Sequence, residues 1–582
     1  MTRMRMIAAS LAGAAVALLL APLFRSWFHP PAGGVGFVTV HAYPKNFDYF
    51  TIALVSFGAL AGGLLAGRPI ESIPVEPHAE PGARRMWPWS LLVFALMLFV
   101  HDHPYAFMDH FHDGEHLTPG ALMKSGARPY GDVFLLHGLV TDGGLDALVL
   151  GDPPSPRRVR RAELVLNAAT LAMLVPLASE LCVSAGGIAL GVLLSWSAIA
   201  GGLLPMFPWF RLLPLILASI AMLRYLGRGR LLALFAAFAC AGAGVLWSLE
   251  TGTYTVAAVA AVYVLIRLGA LEDHPPAIVR VAAFAAVALL LPAVVLVAVG
   301  ASLRQFALDS FVIIPGSIDA IWALPASSPM TAEGLRFWFP PMFYGFLLAL
   351  AWWSRRQRLV TGRLLIVAIF GLLLFRSAAG RVSWSHTRFA LPFIGIAFVA
   401  FLLEPLWHER QRWTAAVALI PLIILFEVGP NLIAAAKGVA GWRGRQSHEG
   451  LLAYPLATGK GIYTYREDHD ELAALNGLVT SLGGPNATIY DFAGERALYY
   501  LLQRRAPVRC LDSNWMSVPP LEAEAMGQLR AHPPACVILK GPSGLELFDG
   551  VSNRQRAPAL AAWIDANYPH HLQVGRYEVA SK

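Results

Sequence analysis

The stretch that decides the fold is HDHPYAFMDHFHDGEHLTPGALMKSGARPYGDVFLLHG, residues 101–138. Its first sixteen positions hold four acidic residues and five histidines, namely Asp102, Asp109, Asp113, Glu115, His101, His103, His110, His112 and His116. Nowhere else in the chain are titratable side chains so dense. Because ionisable groups are costly in a bilayer and long apolar runs lie on both sides, we expect this stretch at the end of a hydrophobic segment.

The composition indicates a polytopic α-helical membrane protein. Of the 582 residues, 56% are hydrophobic and 14% are charged, and the mean hydropathy is +0.56. Apolar runs of spanning length predict about 13 transmembrane helices. The candidate spans are 6–24, 50–67, 87–101, 162–182, 186–204, 209–225, 231–248, 252–268, 278–300, 339–353, 363–376, 388–405 and 413–429. Much of the net charge of +8 lies in short loops between them, which argues against nucleic-acid binding.

The arginine-rich loops predict the orientation. With the N-terminus inside, the loops that follow alternate spans carry arginines on the cytoplasmic side, among them Arg68, Arg84, Arg85, Arg228, Arg355 and Arg410. Residues 101–138, the 301–338 and 376–388 loops, and everything after residue 430 then lie outside. One run disagrees, because the four arginines between 157 and 161 also fall outside. Either the topology is locally wrong, or these arginines bind phosphate.

Hydrophobicity drops after residue 430, where we expect a soluble α/β domain. Helical stretches at 467–482, 495–505, 519–531 and 557–568 alternate with the strand-like segments ATIYDF, PVRCLD, ACVILK and GRYEV. The chain thus divides into N-terminal transmembrane helices (1–100), a first large outer loop with the acidic motif (101–161), a transmembrane core (162–429) and the α/β domain (430–582). Cys510 and Cys536 of this domain are either a disulfide or two buried thiols.

Charged residues recur near the outer ends of later spans. They are Arg211, Glu250, Arg304, Arg376, Arg381 and His386. Arginine forks suit a lipid-linked phosphate, and a carboxylate opposite them suits removal of a proton from an acceptor hydroxyl. This layout predicts sugar transfer from a polyprenyl-phosphate donor in a compartment without nucleotide sugars. The alternative for each arginine is that it anchors a span to lipid headgroups.

The string HDGEHLTPGALMKSGARPYGDVFLLHG resembles the GT-C superfamily of integral-membrane glycosyltransferases, which includes protein O-mannosyltransferases and aminoarabinose lipid A transferases. The resemblance lies in acidic residues of an outer loop, a helix, and a Gly-x-x-Pro-Tyr-x-Asp turn followed by a histidine. It implies an inverting transferase of a bacterial inner membrane, an extracytoplasmic C-terminal domain, and a lipid, glycan or protein acceptor. In the superfamily the first-loop acid is the candidate base or metal-associated residue, which corresponds to Asp113.

The candidate catalytic residues are therefore Asp113, Glu115 and Asp132. The family has an adjacent Asp-Glu pair, whereas Gly114 separates Asp113 from Glu115 here, so the identity of the base stays open. The family usually has this loop after its first helix, whereas two extra hydrophobic segments precede it here. Asp113 and Glu115 also fit the first turn of a helix, and Asp132 fits an ordinary turn.

The histidines leave further alternatives open. His112, His116 and His137 are candidate site residues, and the nitrogen and oxygen donors around them could hold a divalent metal ion. Histidines are also common at membrane interfaces, and no cofactor is required by the sequence. Two other functional classes compete with the transferase: a polysaccharide polymerase or ligase, and a transporter or flippase. Transporters place polar groups near the midplane and often contain repeats, and we detect neither.

Overall fold

The computed structural model describes residues 2–67, 86–100, 108–200, 208–271, 276–441, 450–540 and 547–582. His101, Asp102 and His103 of the opening stretch lie outside the described residues, as do Arg68, Arg84 and Arg85. The remaining candidate site residues are all described.

Helices dominate the first three quarters of the chain. The first group is Thr2–Leu20 (α1), Phe37–Val40 (α2), Asn46–Ala66 (α3), Trp87–Val100 (α4), His112–Lys124 (α5), Leu145–Val149 (α6), Pro156–Ala172 (α7), Leu174–Leu181 (α8) and Ala185–Ala200 (α9). The second is Leu213–Arg228 (α10), Leu231–Trp247 (α11), Leu249–Leu268 (α12), Ile278–Ala298 (α13), Leu303–Leu308 (α14), Ile314–Trp322 (α15), Ala332–Trp353 (α16), Arg358–Gly380 (α17), Trp384–Phe389 (α18), Ile394–Phe398 (α19), Glu404–His408 (α20), Arg412–Leu425 (α21) and Val428–Ala440 (α22).

Many of these helices have the properties of membrane spans, which confirms the prediction of a polytopic helical membrane protein. Seven stretches in the described part of the chain are long and apolar enough to cross a bilayer: Met4–Trp27, Asn46–Ala66, Pro156–Leu181, Trp209–Arg228, Leu249–Leu268, Ile278–Ala298 and Arg358–Gly380. The pair α21 and α22, bent by 59°, makes an eighth if it is one span, and four further apolar helices are shorter. Every candidate span overlaps a helix, while the total of about 13 stays a prediction.

The C-terminal region is an α/β domain, as the alternation of patterns predicts. Its helices are Arg466–Gly483 (α23), Ala497–Leu501 (α24), Pro519–Ala531 (α25), Asn553–Arg556 (α26) and Pro558–Asn567 (α27). Its strands are Leu452–Ala453 (β1), Tyr463–Thr464 (β2), Ile489–Asp491 (β3), Cys536–Lys540 (β4), Leu547–Phe548 (β5), Val551–Ser552 (β6), His570–Val574 (β7) and Tyr577–Ser581 (β8). The four-stranded sheet has the order β3-β4-β8-β7, with β3 parallel to β4 and the other pairs antiparallel. The predicted boundary near residue 430 falls within α22.

One predicted strand of this domain is wrong. The segment PVRCLD, residues 507–512, is not part of the sheet. The amide of Arg509 donates to the Gln528 side chain at 3.0 Å, and its carbonyl accepts from the amide of Phe134 at 3.1 Å. These groups are therefore bound to α25 and to the loop after α5 instead of a neighbouring strand. Cys510 and Cys536 are both free, buried thiols.

The domain is joined to the helical region by a buried ion pair. Arg509 donates to Asp309 at 2.6 Å, and the two side chains are 4% and 0% exposed. A second guanidinium nitrogen reaches Glu524 at 3.0 Å. The residues after α5, the segment around α14 and α15, and the C-terminal domain therefore lie at the same end of the helices.

We expect Arg509→Gln to lower the free energy of unfolding by about 3–5 kcal/mol, because it leaves the Asp309 carboxylate buried without its cation. Thermal unfolding of the detergent-solubilised protein measures this loss. The matched control is Arg554→Gln, whose partner Asp565 lies 2.8 Å away with both side chains about half exposed, and which should cost less than about 1 kcal/mol. Equal losses in the two variants would contradict a special role for the buried pair.

Candidate functional site

Helix α5 is enclosed by the C-terminal domain. A side chain at Gly114 would lie 2.3 Å from the backbone nitrogen of Ala497 and 2.8 Å from the carbonyl carbon of Arg496. The amide of Ala497 donates to the carbonyl of His110 at 3.0 Å, and the Thr118 hydroxyl donates to the Arg496 carbonyl at 2.7 Å. The glycine therefore lets the backbone before α24 contact α5 directly.

This contact brings Arg496 to Glu115. The guanidinium donates to the Glu115 carboxylate at 2.8 Å and lies 3.3 Å from Asp512. Burial, the largest single effect, would raise the pKa of Glu115, but the surrounding positive charges together, Arg496 first among them, outweigh burial and hold the pKa at about 2. Glu115 is therefore ionised at neutral pH.

Glu115 and Arg496 line a small buried cavity whose other walls come from the loop after α5 and from the C-terminal domain. The remaining lining residues are Pro119, Phe134, Leu136, His137, Asp142, Leu511, Asp512 and Trp515. The charged side chains lie beside apolar and aromatic ones. Because this surrounding has a lower dielectric constant than water, electrostatic interactions in the cavity are stronger.

Asp142 is the lining residue whose chemistry is most unusual. Its Oδ2 accepts from the amide of His137 at 2.6 Å, whereas its Oδ1 is buried and has no hydrogen-bond partner among the described residues. Burial raises the pKa of Asp142 to about 7, against the opposing effect of Arg211. A carboxyl with a pKa near neutrality can gain or lose a proton under physiological conditions.

Arg211 supplies an unpaired positive charge near this cavity. It lies just after Trp209, at the start of a membrane span, and acts electrostatically on Asp142, His137 and Glu115. Its Nε is buried without a hydrogen-bond partner, and no ion pair joins it to the part of the chain that the structure describes. A partly buried, uncompensated guanidinium is a ready ligand for an anion.

A second cluster lies on another side of α5. Asp113 accepts from Arg160 of α7 at 2.7 Å, and its Oδ1 lies 3.9 Å from His116 Nε2. The other ring nitrogen of His116 lies 2.6 Å from Asp146, and Nε2 lies 3.8 Å from Glu163. Burial lowers the pKa of His116, but these carboxylates outweigh it and raise the pKa to about 10. The structure therefore separates Asp113 and His116 from Glu115.

The arginines of the 376–388 loop are already paired. Arg381 donates to Asp549 of the C-terminal domain at 2.8 Å and lies over the Phe548 ring at 5.0 Å. Arg376 contacts Asp319 at 3.1 Å and stacks on Tyr49 at 4.1 Å.

Two further predicted site residues, His386 and His112, have shifted pKa values. His386 Nδ1 lies 2.8 Å from the Ser383 hydroxyl. Burial, with Arg381 and Arg211 adding to it, lowers the pKa of His386 to about 3. His112 lies 2.8 Å from Asp109, which raises its pKa against the effect of burial. His386 is therefore neutral at physiological pH, whereas His112 takes up a proton more readily than an isolated histidine.

Asp132, Arg304 and Glu250, like Arg376 and Arg381, are not brought into either cluster. Asp132 forms a surface pair with Arg128 at 2.9 Å and is 42% exposed. Arg304 is exposed on α14. Glu250 accepts from Tyr254 at 3.3 Å. The sequence predicts an arginine of the 376–388 loop as its partner, but Arg376, Arg381 and Arg388 form ion pairs with Asp319, Asp549 and Glu427.

Sequence reasoning misses Asp142, Asp146, Arg496 and Asp512. Asp142 and Asp146 follow His137 closely in HGLVTDGGLDAL. The adjacent Gly143 and Gly144 are a sequence signal that could have pointed to a closely packed loop here. Gly143 has a φ of 111°, and a side chain there would lie 2.4 Å from the amide nitrogen of Gly120. The loop that carries both aspartates can therefore pack against α5 only with glycine here. Arg496 gives no such signal, because its segment reads as core packing.

A larger cavity of about 340 Å³ lies where α5 begins, between it and the C-terminal domain. Its walls include Asp109, Phe111, Tyr454, Lys540 and Arg576. His110 closes one side through Tyr454, 2.6 Å from its Nε2, and Glu495, 3.0 Å from its Nδ1. The mixture of aromatic rings with donors and acceptors suits a polar, hydroxyl-rich ligand.

We expect His137→Gln to make stability less sensitive to acid. Burial, with Arg211 next, lowers the pKa of His137 from its ordinary 6.5 to about 3. Between these two values the unfolded chain binds a proton that the folded chain does not, so this contribution to stability is lost as the pH falls. Unfolding midpoints of the parent and the variant from pH 7 to 4 test this. A parallel decrease in both proteins would contradict it.

No protein-family model matches the chain, and no curated protein matches it in sequence. Among solved structures, the chain is similar to the crystal structure of ArnT from Cupriavidus metallidurans bound to undecaprenyl phosphate. The two are 14% identical with a TM-score of 0.46, and the match covers 85% of this chain and 97% of that one.

Proposed function

We propose that the protein is a membrane glycosyltransferase. It transfers a sugar from a polyprenyl-phosphate-linked donor to a lipid, glycan or protein acceptor on the outer face of a bacterial inner membrane. The observation that carries the proposal is a cavity-lining carboxyl, Asp142, whose Oδ1 has no hydrogen-bond partner and which is electrostatically coupled to Arg211, whose Nε also has none. A base and an anion-binding cation are the two groups that such a transfer needs.

Arg211 is our candidate for binding the donor phosphate. It lies at the N-terminal end of the candidate span Trp209–Arg228, and an arginine at the end of a span can reach the charged groups of lipids. Arg381 and Arg376 are already neutralised by Asp549 and Asp319. They support the site as positioning residues, whereas Arg211 has charge to offer a ligand.

Asp142 is our candidate for the general base. Burial raises its pKa to about 7, so the carboxyl can both accept and release a proton near neutral pH. The carboxylate takes the proton of the acceptor hydroxyl while that oxygen bonds to the anomeric carbon of the sugar. The bond between this carbon and the phosphate oxygen breaks, and the lipid phosphate leaves with the electron pair. Attack opposite the leaving group inverts the anomeric centre.

Glu115 and Asp113 are the other candidate carboxylates, and their surroundings suggest different roles. Glu115 is held by Arg496 and stays ionised, so it can stabilise positive charge developing on the sugar ring. Asp113 is bound to Arg160 and stays the candidate base that the family resemblance implies. The 340 Å³ cavity beside α5 is our candidate for the acceptor, because it adjoins the C-terminal domain and presents both donors and acceptors.

We expect Asp142→Asn to lower kcat by about 10²–10⁴, because general-base catalysis contributes on that scale. The activity of the parent should rise with pH to a plateau above about 7, the pKa of Asp142, and the residual activity of the variant should lose this dependence. Transfer from a labelled polyprenyl-phosphate sugar in proteoliposomes measures both.

The control for this experiment is Asp470→Asn, which changes a 65% exposed carboxylate of the C-terminal domain and should leave kcat unchanged. Asp113→Asn decides between the two candidate bases. If Asp142→Asn keeps parental activity while Asp113→Asn abolishes it, the base is Asp113 and our assignment is wrong.

We expect Arg211→Gln to raise the KM for the lipid-phosphate donor by about tenfold or more, since a charge-assisted contact to phosphate is lost. The KM for the acceptor should change much less. Donor titrations at saturating acceptor, and the reverse, separate the two constants. Arg554→Gln on the domain surface is the control, and equal changes in both KM values would contradict a donor-phosphate role for Arg211.

A further inference from the structure

We infer that His116, Asp146 and Glu163 form a binding site for a divalent metal ion. Each residue offers one ligand atom, and the three atoms lie within 4.8 Å of one another. Ligand atoms lie about 2 Å from a bound zinc ion, so small side-chain adjustments would let these three share one ion. The inference does not rest on the proposed transferase activity, because it concerns a separate cluster.

The three ligands come from three successive helices. His116 lies in α5, Asp146 in α6 and Glu163 in α7. A side chain at Gly120 would lie 2.4 Å from the Cβ of Asp146, so glycine at this position lets α6 approach α5 closely. An ion at this point would therefore tie the loop that carries Asp142 to both α5 and the first turns of a membrane span.

The charges of the cluster favour a cation. Asp113, Asp146 and Glu163 are three carboxylates, and the cations that the structure shows paired with them are Arg160 and, when protonated, His116. With His116 protonated the group carries one net negative charge. A divalent ion bound to neutral His116 would bring the sum to zero, since it displaces the proton held between His116 and Asp146.

Glu163 is the observation that points most directly to a ligand. It lies on the candidate span Pro156–Leu181, where a carboxylate that accepts no hydrogen bond is costly. The Glu163 carboxylate accepts no hydrogen bond from any described residue, and its nearest recorded cationic group is His116 Nε2 at 3.8 Å. Its side chain is only 18% exposed, so water compensates it incompletely.

The donor set narrows the class of ion. One imidazole nitrogen and two carboxylate oxygens suit Zn²⁺ or Mn²⁺, whereas Mg²⁺ and Ca²⁺ prefer oxygen ligands alone. Because all three protein ligands lie in neighbouring helices, the ion would hold α5 in place against α7. It would thereby position Glu115 without touching the proposed cavity.

The test is the metal content of the purified protein. We expect chelator-treated protein to take up about one Zn²⁺ or Mn²⁺ per chain, measured by elemental mass spectrometry, and its unfolding midpoint to rise on uptake. Glu163→Gln and His116→Gln should each lose the bound ion and the rise in the midpoint. The matched control is His571→Gln, which removes a histidine paired with Glu578 on the domain surface and should keep full uptake.

Wild-type protein that binds neither ion and shows no change in its unfolding midpoint would overturn the inference, and so would variants that bind as well as the parent. If a variant does not fold, the wild-type measurements alone decide. Asp142→Asn separates this inference from the transferase proposal, because it should keep the ion whether or not it loses activity.

Discussion

The site depends on the direct contact between Gly114 of α5 and the backbone of Arg496 and Ala497. Any side chain at position 114 would overlap atoms of this backbone, so the C-terminal domain could not pack as closely against α5. Without that approach Arg496 could not reach Glu115, and Glu115 would be an uncompensated carboxylate in a buried site. A single missing Cβ therefore couples the packing of the C-terminal domain to the charge balance of the cavity.

The fold was largely predictable because its main determinants are local. An apolar run of spanning length has few alternatives to a helix in a membrane, so every candidate span overlaps one. The pattern of residues 519–531 likewise predicts α25 at its observed bounds. PVRCLD was mispredicted because its backbone bonds to Gln528 and Phe134, and Phe134 is distant in sequence. Local β propensity contains no information about such partners.

The site was predictable only in part. The density of charge at 109–116 correctly marks where polar groups gather, but it does not reveal that α5 turns Asp113 and Glu115 toward different neighbours. Asp142 could not be singled out, since its raised pKa is a product of burial and not of its sequence context. In the sequence Gly114 is a departure from the family pattern, whereas the structure explains it by the approach of Arg496.

Each of the two clusters beside α5 includes a charged residue from a candidate membrane span. Arg211 lies at the start of the candidate span Trp209–Arg228, and Glu163 lies in the N-terminal part of the candidate span Pro156–Leu181. A charge near the end of a span is less screened by water than a charge at an open surface, yet a charged ligand can still reach it from the aqueous side. Helix α5 contacts the C-terminal domain through Gly114 and α7 through the ion pair of Asp113 with Arg160, so it holds carboxylates between these two parts of the chain. A polar stretch between two apolar runs, such as residues 101–138, is therefore the sequence pattern expected for a helix that joins membrane spans to a soluble domain.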